Sequence, residues 1–177
     1  MNLILIGFMG TGKTVTGKVL AKRLRWTFVD VDALIERAAR KPIRRIFTED
    51  GEARFRRLET QMIRRVARGR RQIIAAGGGA FIRPENRRLL QQAGVVVCLT
   101  SSPAVILKRV KRTIASRPML AGATSPLARI RRLLKVRAPF YAKADLTIDA
   151  SRLTAAGTAS AILARLHPAI LQALTAR

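Results

Sequence analysis

A three-layer α/β fold, with an open parallel five-stranded sheet between helices, is predicted by three observations. Five short apolar runs recur along the chain, stretches of helical periodicity separate them, and the first run leads straight into a glycine-rich turn that opens a helix. Leu3, Ile4, Leu5 and Ile6 form the first run, ending at Gly7, as a strand buried on both faces would. Val15, Val19, Leu20 and Leu24 then step at helical spacing over residues 13–25, leaving Lys18, Lys22 and Arg23 for water. Residues 27–30 read as a second strand, expected beside the first. Asp32 is expected to cap a helix that runs through Arg40 and stops before Pro42.

Phe55, Leu58, Met62 and Val66 put one apolar stripe on a helix over 49–68, whose opposite face is strongly basic and which Gly69 stops. Residues 72–76 are the third strand candidate, broken by Gly77, Gly78 and Gly79. Pro84, at a first-turn position, starts a helix to about Gln92. Residues 95–99 follow as a fourth strand. Thr100, Ser101 and Ser102 offer an N-cap before Pro103, which opens a helix towards Arg112. Periodicity fails over 113–125, where Pro118 and Gly122 interrupt the chain, and the segment reads as a mobile lid over about 112–125. Helix resumes over 126–136, residues 145–149 make the fifth strand, and a last helix covers about 154–166. His167 and Pro168 mark a break, after which residues 169–177 read as a docked helix or a frayed tail.

The chain has 177 residues, of which 49% are hydrophobic, so it folds as one domain over 1–177 rather than remaining a disordered basic tail. A single cysteine, Cys98, excludes an intrachain disulfide framework and paired-cysteine zinc motifs, consistent with a reducing cytoplasm. No signal peptide or membrane span is legible. Thirty-five Lys and Arg against ten Asp and Glu leave a formal charge of +25, which by itself points to nucleic acid or an anionic surface. The cations are spread along the chain rather than blocked, the pattern of solvated helix faces.

Gly7-Phe8-Met9-Gly10-Thr11-Gly12-Lys13-Thr14 fits GxxxxGK[ST] in full, between a strand and a helix. Such a loop turns successive backbone N–H groups inward and adds the positive end of a helix dipole, a cradle for phosphate oxygens that here spans Gly10, Thr11, Gly12, Lys13, Thr14 and Val15. Lys13 is expected to reach the β and γ phosphates, and the Thr14 hydroxyl to meet Mg²⁺. Asp30 and Asp32 end the second strand, where one carboxylate can hold the metal and the other can accept a hydrogen bond from a substrate hydroxyl.

The P-loop, Asp30-Val31-Asp32, Gly51-Glu52-Ala53-Arg54-Phe55-Arg56-Arg57-Leu58-Glu59, Gly77-Gly78-Gly79, Arg117-Pro118-Met119-Leu120, and Arg137 before Tyr141 together resemble the shikimate kinases, across residues 3–148. The resemblance implies a P-loop fold of the nucleoside-monophosphate-kinase type. It also implies Mg²⁺-dependent phosphoryl transfer from ATP to the 3-hydroxyl of shikimate, a step towards aromatic amino acids, by a cytoplasmic monomer. It assigns Arg56 and Arg137 to the substrate carboxylate, Asp32 to the hydroxyl, and Gly77, Gly78 and Gly79 to backbone contacts. Glu59 orients Arg56, Arg117 closes over the nucleotide with the lid, and Arg152 contacts adenine. The substrate-binding helical region is expected over about 32–60. Lys143 and Met119 stand where relatives usually carry Glu and Leu.

Two other readings remain open at this point. One is a kinase of another small polyol or acid such as gluconate; the other is a non-catalytic P-loop protein that binds polyanions. Aromatic residues make up only 5% of the chain and form no base-stacking cluster, so no dedicated nucleic-acid partner is expected, whereas salt-sensitive polyanion binding is.

Overall fold

The sheet grows outward from β1 (Asn2–Gly7), whose six residues are all buried. In the computed structural model, which describes residues 1–166 and 168, β1 pairs in parallel with β3 (Gln72–Ala75) on one side and β4 (Gly94–Thr100) on the other. β2 (Thr27–Asp30) pairs with β3 and β5 (Leu146–Asp149) with β4, giving the order β2-β3-β1-β4-β5. The second strand is therefore not beside the first. β3 lies between them and β2 is an edge strand, which fits its partial exposure next to the fully covered β1.

Alternation along β1 divides the interior. Ile4 and Ile6 face one core, with residues of α2 (Val31–Ala39), α4 (Gly51–Ala67), α5 (Pro84–Ala93), α6 (Pro103–Val110) and α7 (Pro126–Tyr141). Leu3 and Leu5 face a smaller core with α1 (Lys13–Leu24) and α8 (Ala155–Arg165). These are the two outer layers, and the apolar stripe of α4 read from the sequence is buried at Phe55, Leu58, Met62 and Val66. A single turn, α3 (Ile43–Arg45), and a π turn, Ile46–Asp50, lead into α4.

Three details differ from the sequence reading. Asp30, not Asp32, caps α2, its carboxylate accepting the Asp32 amide at 3.1 Å. α7 does not stop at Val136 but continues to Tyr141 with Pro139 inside its last turn. Proline gives up the bond to the exposed Lys135, a loss that water can meet, while the extra turn buries Arg137 and Tyr141. The lid segment is also more ordered than a loop, with a 3-10 turn over Lys111–Ser116 and Leu120 fully buried in the larger core. No helix among the described residues is long and apolar enough to cross a membrane. His167 and residues 169–177, including the proposed terminal helix or tail, lie outside the described residues.

Candidate functional site

β1 lies where the chain order of the sheet reverses, and the loop leaving its carboxyl end opens into a crevice. That loop is the P-loop. Gly10 and Gly12 hold φ of 77° and 96°, backbone that residues with a Cβ resist, and Gly12 is the residue that caps α1. α1 carries no acidic residue in its own first turn; among the described residues the only carboxylate hydrogen-bonded to that turn is Asp30, from the end of β2. Lys13 donates to the carbonyls of Gly7 at 2.9 Å and Phe8 at 3.0 Å. Burial pushes its pKa down to about 8, against the pull of Asp32 and Asp30.

Two cavities meet here. The smaller, about 230 Å³, is lined by Gly10, Gly12, Lys13, Thr14, Val15 and Asp30 among others. The larger, about 390 Å³, is lined by Phe55, Arg56, Glu59, Gly77, Gly79 and Arg137 among others. Met9, Asp32, Gly78 and Arg117 belong to both walls, so they form the passage between the two spaces. Burial and then Asp30 push the Asp32 carboxyl above its ordinary value, while Lys13 opposes them. Burial lowers the Arg117 guanidinium and the nearby Asp32 carboxylate counters it; both side chains line both cavities.

Thr14 Oγ1 donates to Asp30 Oδ2 at 2.9 Å. A hydroxyl and a carboxylate at the mouth of a phosphate cradle are hard oxygen donors of the kind Mg²⁺ takes, completed by water and phosphate oxygens. No group of three or more His, Cys, Asp or Glu among the described residues makes an all-protein metal cage.

In the larger cavity Arg56 donates to Glu52 at 2.8 Å and to Glu59 Oε2 at 3.0 Å, and lies over the Phe55 ring at 5.1 Å. Burial opposes the Arg56 charge, and Glu59 and Glu52 together outweigh it. Glu59 Oε1 is buried with no hydrogen-bond partner among the described residues. The family pattern implies a supporting role for Glu59, and its second oxygen is shut in beside Gly77, so the residue meets the cavity through the Arg56 that it holds. Arg137 is only 4% exposed, packs over the Phe8 ring at 5.1 Å, and has no carboxylate within ion-pair distance among the described residues.

The three glycines make room for these charges. A Cβ on Gly77 would sit 2.9 Å from Asp32 Oδ1, on Gly78 3.1 Å from Arg137, and on Gly79 2.8 Å from Arg56. None of the three has a positive φ, so what glycine provides here is room for the ends of these charged side chains rather than turn geometry.

Two contributors were given no role by the sequence reading, although Tyr141 stood in the family pattern. Tyr141 donates to the Gly78 carbonyl at 2.6 Å, and burial pushes its phenol up to about 12. Its place four residues after Arg137 on one helix face was the available signal. Removing that donor in Tyr141→Phe should cost about 1–3 kcal/mol in urea unfolding by stranding the carbonyl; unchanged stability would show that the bond is dispensable. Arg109 donates to Gly10 at 3.3 Å and Ala150 at 2.8 Å, tying the P-loop to the end of β5. Nothing in the sequence distinguishes it from its basic neighbours. Thr11, by contrast, is buried and donates to Phe8 at 2.8 Å without lining the smaller cavity, and Arg152 is exposed beyond β5 and lines neither cavity.

The sequence model of the shikimate kinase family matches residues 9–167. A shikimate kinase from Thermodesulfovibrio yellowstonii is 47% identical over 162 residues, covering 92% of each chain. One from Desulforudis audaxviator is 49% identical over 84% of this chain and 77% of its own. Among solved structures, shikimate kinase from Acinetobacter baumannii in complex with shikimate is 37% identical, with a TM-score of 0.88, covering 92% of this chain and 90% of its own. A gluconokinase from Sinorhizobium meliloti, at 20% identity and TM-score 0.58, shares the fold alone.

Proposed function

This chain belongs to the shikimate kinase family and is a small-molecule kinase, and we propose that its two joined cavities carry the γ-phosphoryl group of ATP to the 3-hydroxyl of shikimate. The observation that carries the reading is Arg137, a buried cation without a carboxylate partner among the described residues, in the cavity that also holds Arg56. A buried charge left uncompensated is costly, so a site with this arrangement is built for an anion that arrives with the substrate. Guanidinium forks match the two oxygens of a carboxylate.

ATP places its phosphates in the P-loop cradle, where Lys13 exchanges two neutral carbonyl acceptors for anionic oxygens. Thr14 and Asp30 would hold Mg²⁺, which when bound supplies charge neutralisation on the phosphates. Asp32, in the passage, accepts the hydrogen bond and then the proton of the attacking hydroxyl. That oxygen bonds to the γ-phosphorus as the bond to the β-phosphate bridging oxygen breaks, leaving ADP and shikimate 3-phosphate. Arg117 lines both cavities and stabilises charge on the transferring group, and closure of the 112–125 segment over bound ATP would exclude water. Glu59 holds the Arg56 guanidinium in orientation through Oε2. The adenine contact that the resemblance assigns to Arg152 has no support from the two cavities, since that residue is exposed beyond β5 and lines neither.

A single copy supplies every group this sequence of events calls for, which supports a monomer, and the lone buried Cys98 suits the cytoplasm. A coupled ADP-release assay with ATP, Mg²⁺ and, separately, shikimate, quinate and gluconate tests the reading. Shikimate-dependent turnover is expected, and its absence would refute the assignment. In the same assay Arg137→Lys should raise the KM for shikimate by about tenfold to a hundredfold and leave that for ATP nearly unchanged, because one point charge replaces a two-pronged donor.

A further inference from the structure

The ten carboxylates of this chain are unevenly placed. None occurs between Glu85 and Asp145, a stretch that holds thirteen Lys and Arg. The ion pairs Lys41–Asp50, Arg45–Glu49, Arg56–Glu52 and Arg64–Glu85 all fall between residues 41 and 85. The acid-free stretch runs through most of α5, β4, α6, the 112–125 segment and α7, and α6 packs against α7.

On this layer the cations form two rows. Lys108, Lys111 and Arg112 run from the end of α6 into the following turn at i, i+3, i+4. Arg131, Arg132 and Lys135 stand at i, i+1, i+4 on α7, so that Lys135 lies one turn beyond both arginines. All six are exposed, none has a carboxylate within ion-pair distance among the described residues, and none lines either cavity of the site. Rows of this kind repel one another unless an external anion joins them.

We propose that the α6–α7 face binds the phosphate backbone of duplex DNA without sequence preference. The face offers hydrogen-bond donors and charge and almost nothing else. Of the exposed large apolar side chains among the described residues, only Val136 belongs to these helices. A protein partner would need buried aromatic or aliphatic anchors, and a membrane would need Trp, Phe or Leu to insert. Single strands would need exposed aromatic rings to stack on. A surface of unpaired Lys and Arg is left with phosphates, and binding is carried by release of condensed counterions.

Anisotropy of a labelled duplex of about 20 base pairs, titrated with the full chain between about 50 and 200 mM KCl, tests this. Arg131→Gln/Arg132→Gln/Lys135→Gln should weaken binding at least tenfold at the lower salt and reduce the slope of log K against log salt by about 3, roughly one for each phosphate no longer neutralised. Lys18→Gln/Lys22→Gln/Arg25→Gln removes the same charge from the α1 side of the sheet and should change the slope far less. Equal losses in both variants would make the affinity a property of net charge and overturn the assignment to this face. Capture by phosphatidylserine vesicles at salt where duplex binding is absent would overturn it as well. Arg131→Gln alone, expected to lower the slope by about one, keeps the test intact should the triple variant fail to fold.

Discussion

Replacing Asp32 with Asn should lower turnover of shikimate and ATP by about 10²- to 10⁴-fold, the range over which a positioned acid or base contributes, with the melting temperature nearly unchanged. The substitution preserves size and one acceptor oxygen, but it removes the charge that faces Lys13 and Arg117 in the passage between the two cavities. Asn cannot take the hydroxyl proton. The ADP-release assay beside a thermal melt separates chemistry from folding. Wild-type turnover in this variant would remove Asp32 from the reaction, and a collapsed melt would show a structural role instead. Asp30 should behave differently, because its carboxylate already caps α2 and bonds Thr14, so Asp30→Asn should cost both stability and metal dependence.

The second large effect is expected at Arg117. Arg117→Ala should reduce kcat by about 10³- to 10⁵-fold, as loss of a charge-stabilising arginine does in phosphoryl transfer, while the KM for shikimate moves little. Arg117 is the cation that lines both cavities, and burial disfavours its charge while Asp32 supports it. In such a site electrostatic interactions are stronger than in water. Single-turnover measurements read the chemical step directly; an unchanged rate there would reduce Arg117 to a lid contact. The 112–125 segment, which we propose acts as a lid, is pinned by Leu120, fully buried in the larger core. Opening that withdrew this side chain would expose it at about 1.5–3 kcal/mol, which favours hinging on either side of Leu120.

Several of these residues could be named before any coordinates because their signals are contiguous. The P-loop is eight adjacent residues between a strand and a helix, and Asp30 and Asp32 flank one position. Local backbone rules suffice where the ligand is gripped by neighbouring amides. The basic α4 was different. Arg56 stands among Arg54, Arg57, Arg64 and Arg65 with nothing in composition to mark it, and only the family pattern distinguished it. In the fold it is distinguished by half-burial between two carboxylates and the place left empty by Gly79.

Apolar runs and helical spacing on this chain dictated five strands, their alternating helices, the two-sided burial of β1 and the phosphate cradle, because each depends on residues a few positions apart. Which strands would be neighbours was beyond that reach: inserting β3 between β1 and β2 is a matter of long crossovers and of the twist that lets helices cover both faces. So was the meeting of Gly78 with Tyr141, sixty-three residues away, and of Gly10 with Arg109, ninety-nine away. A helix stopped at Val136 failed for the same reason, whereas the cap placed on Asp32 was a local error of two residues, since Asp30 accepts the Asp32 amide. Burial of Arg137 and Tyr141 against the glycine turn, a tertiary gain, outweighed the local cost of Pro139.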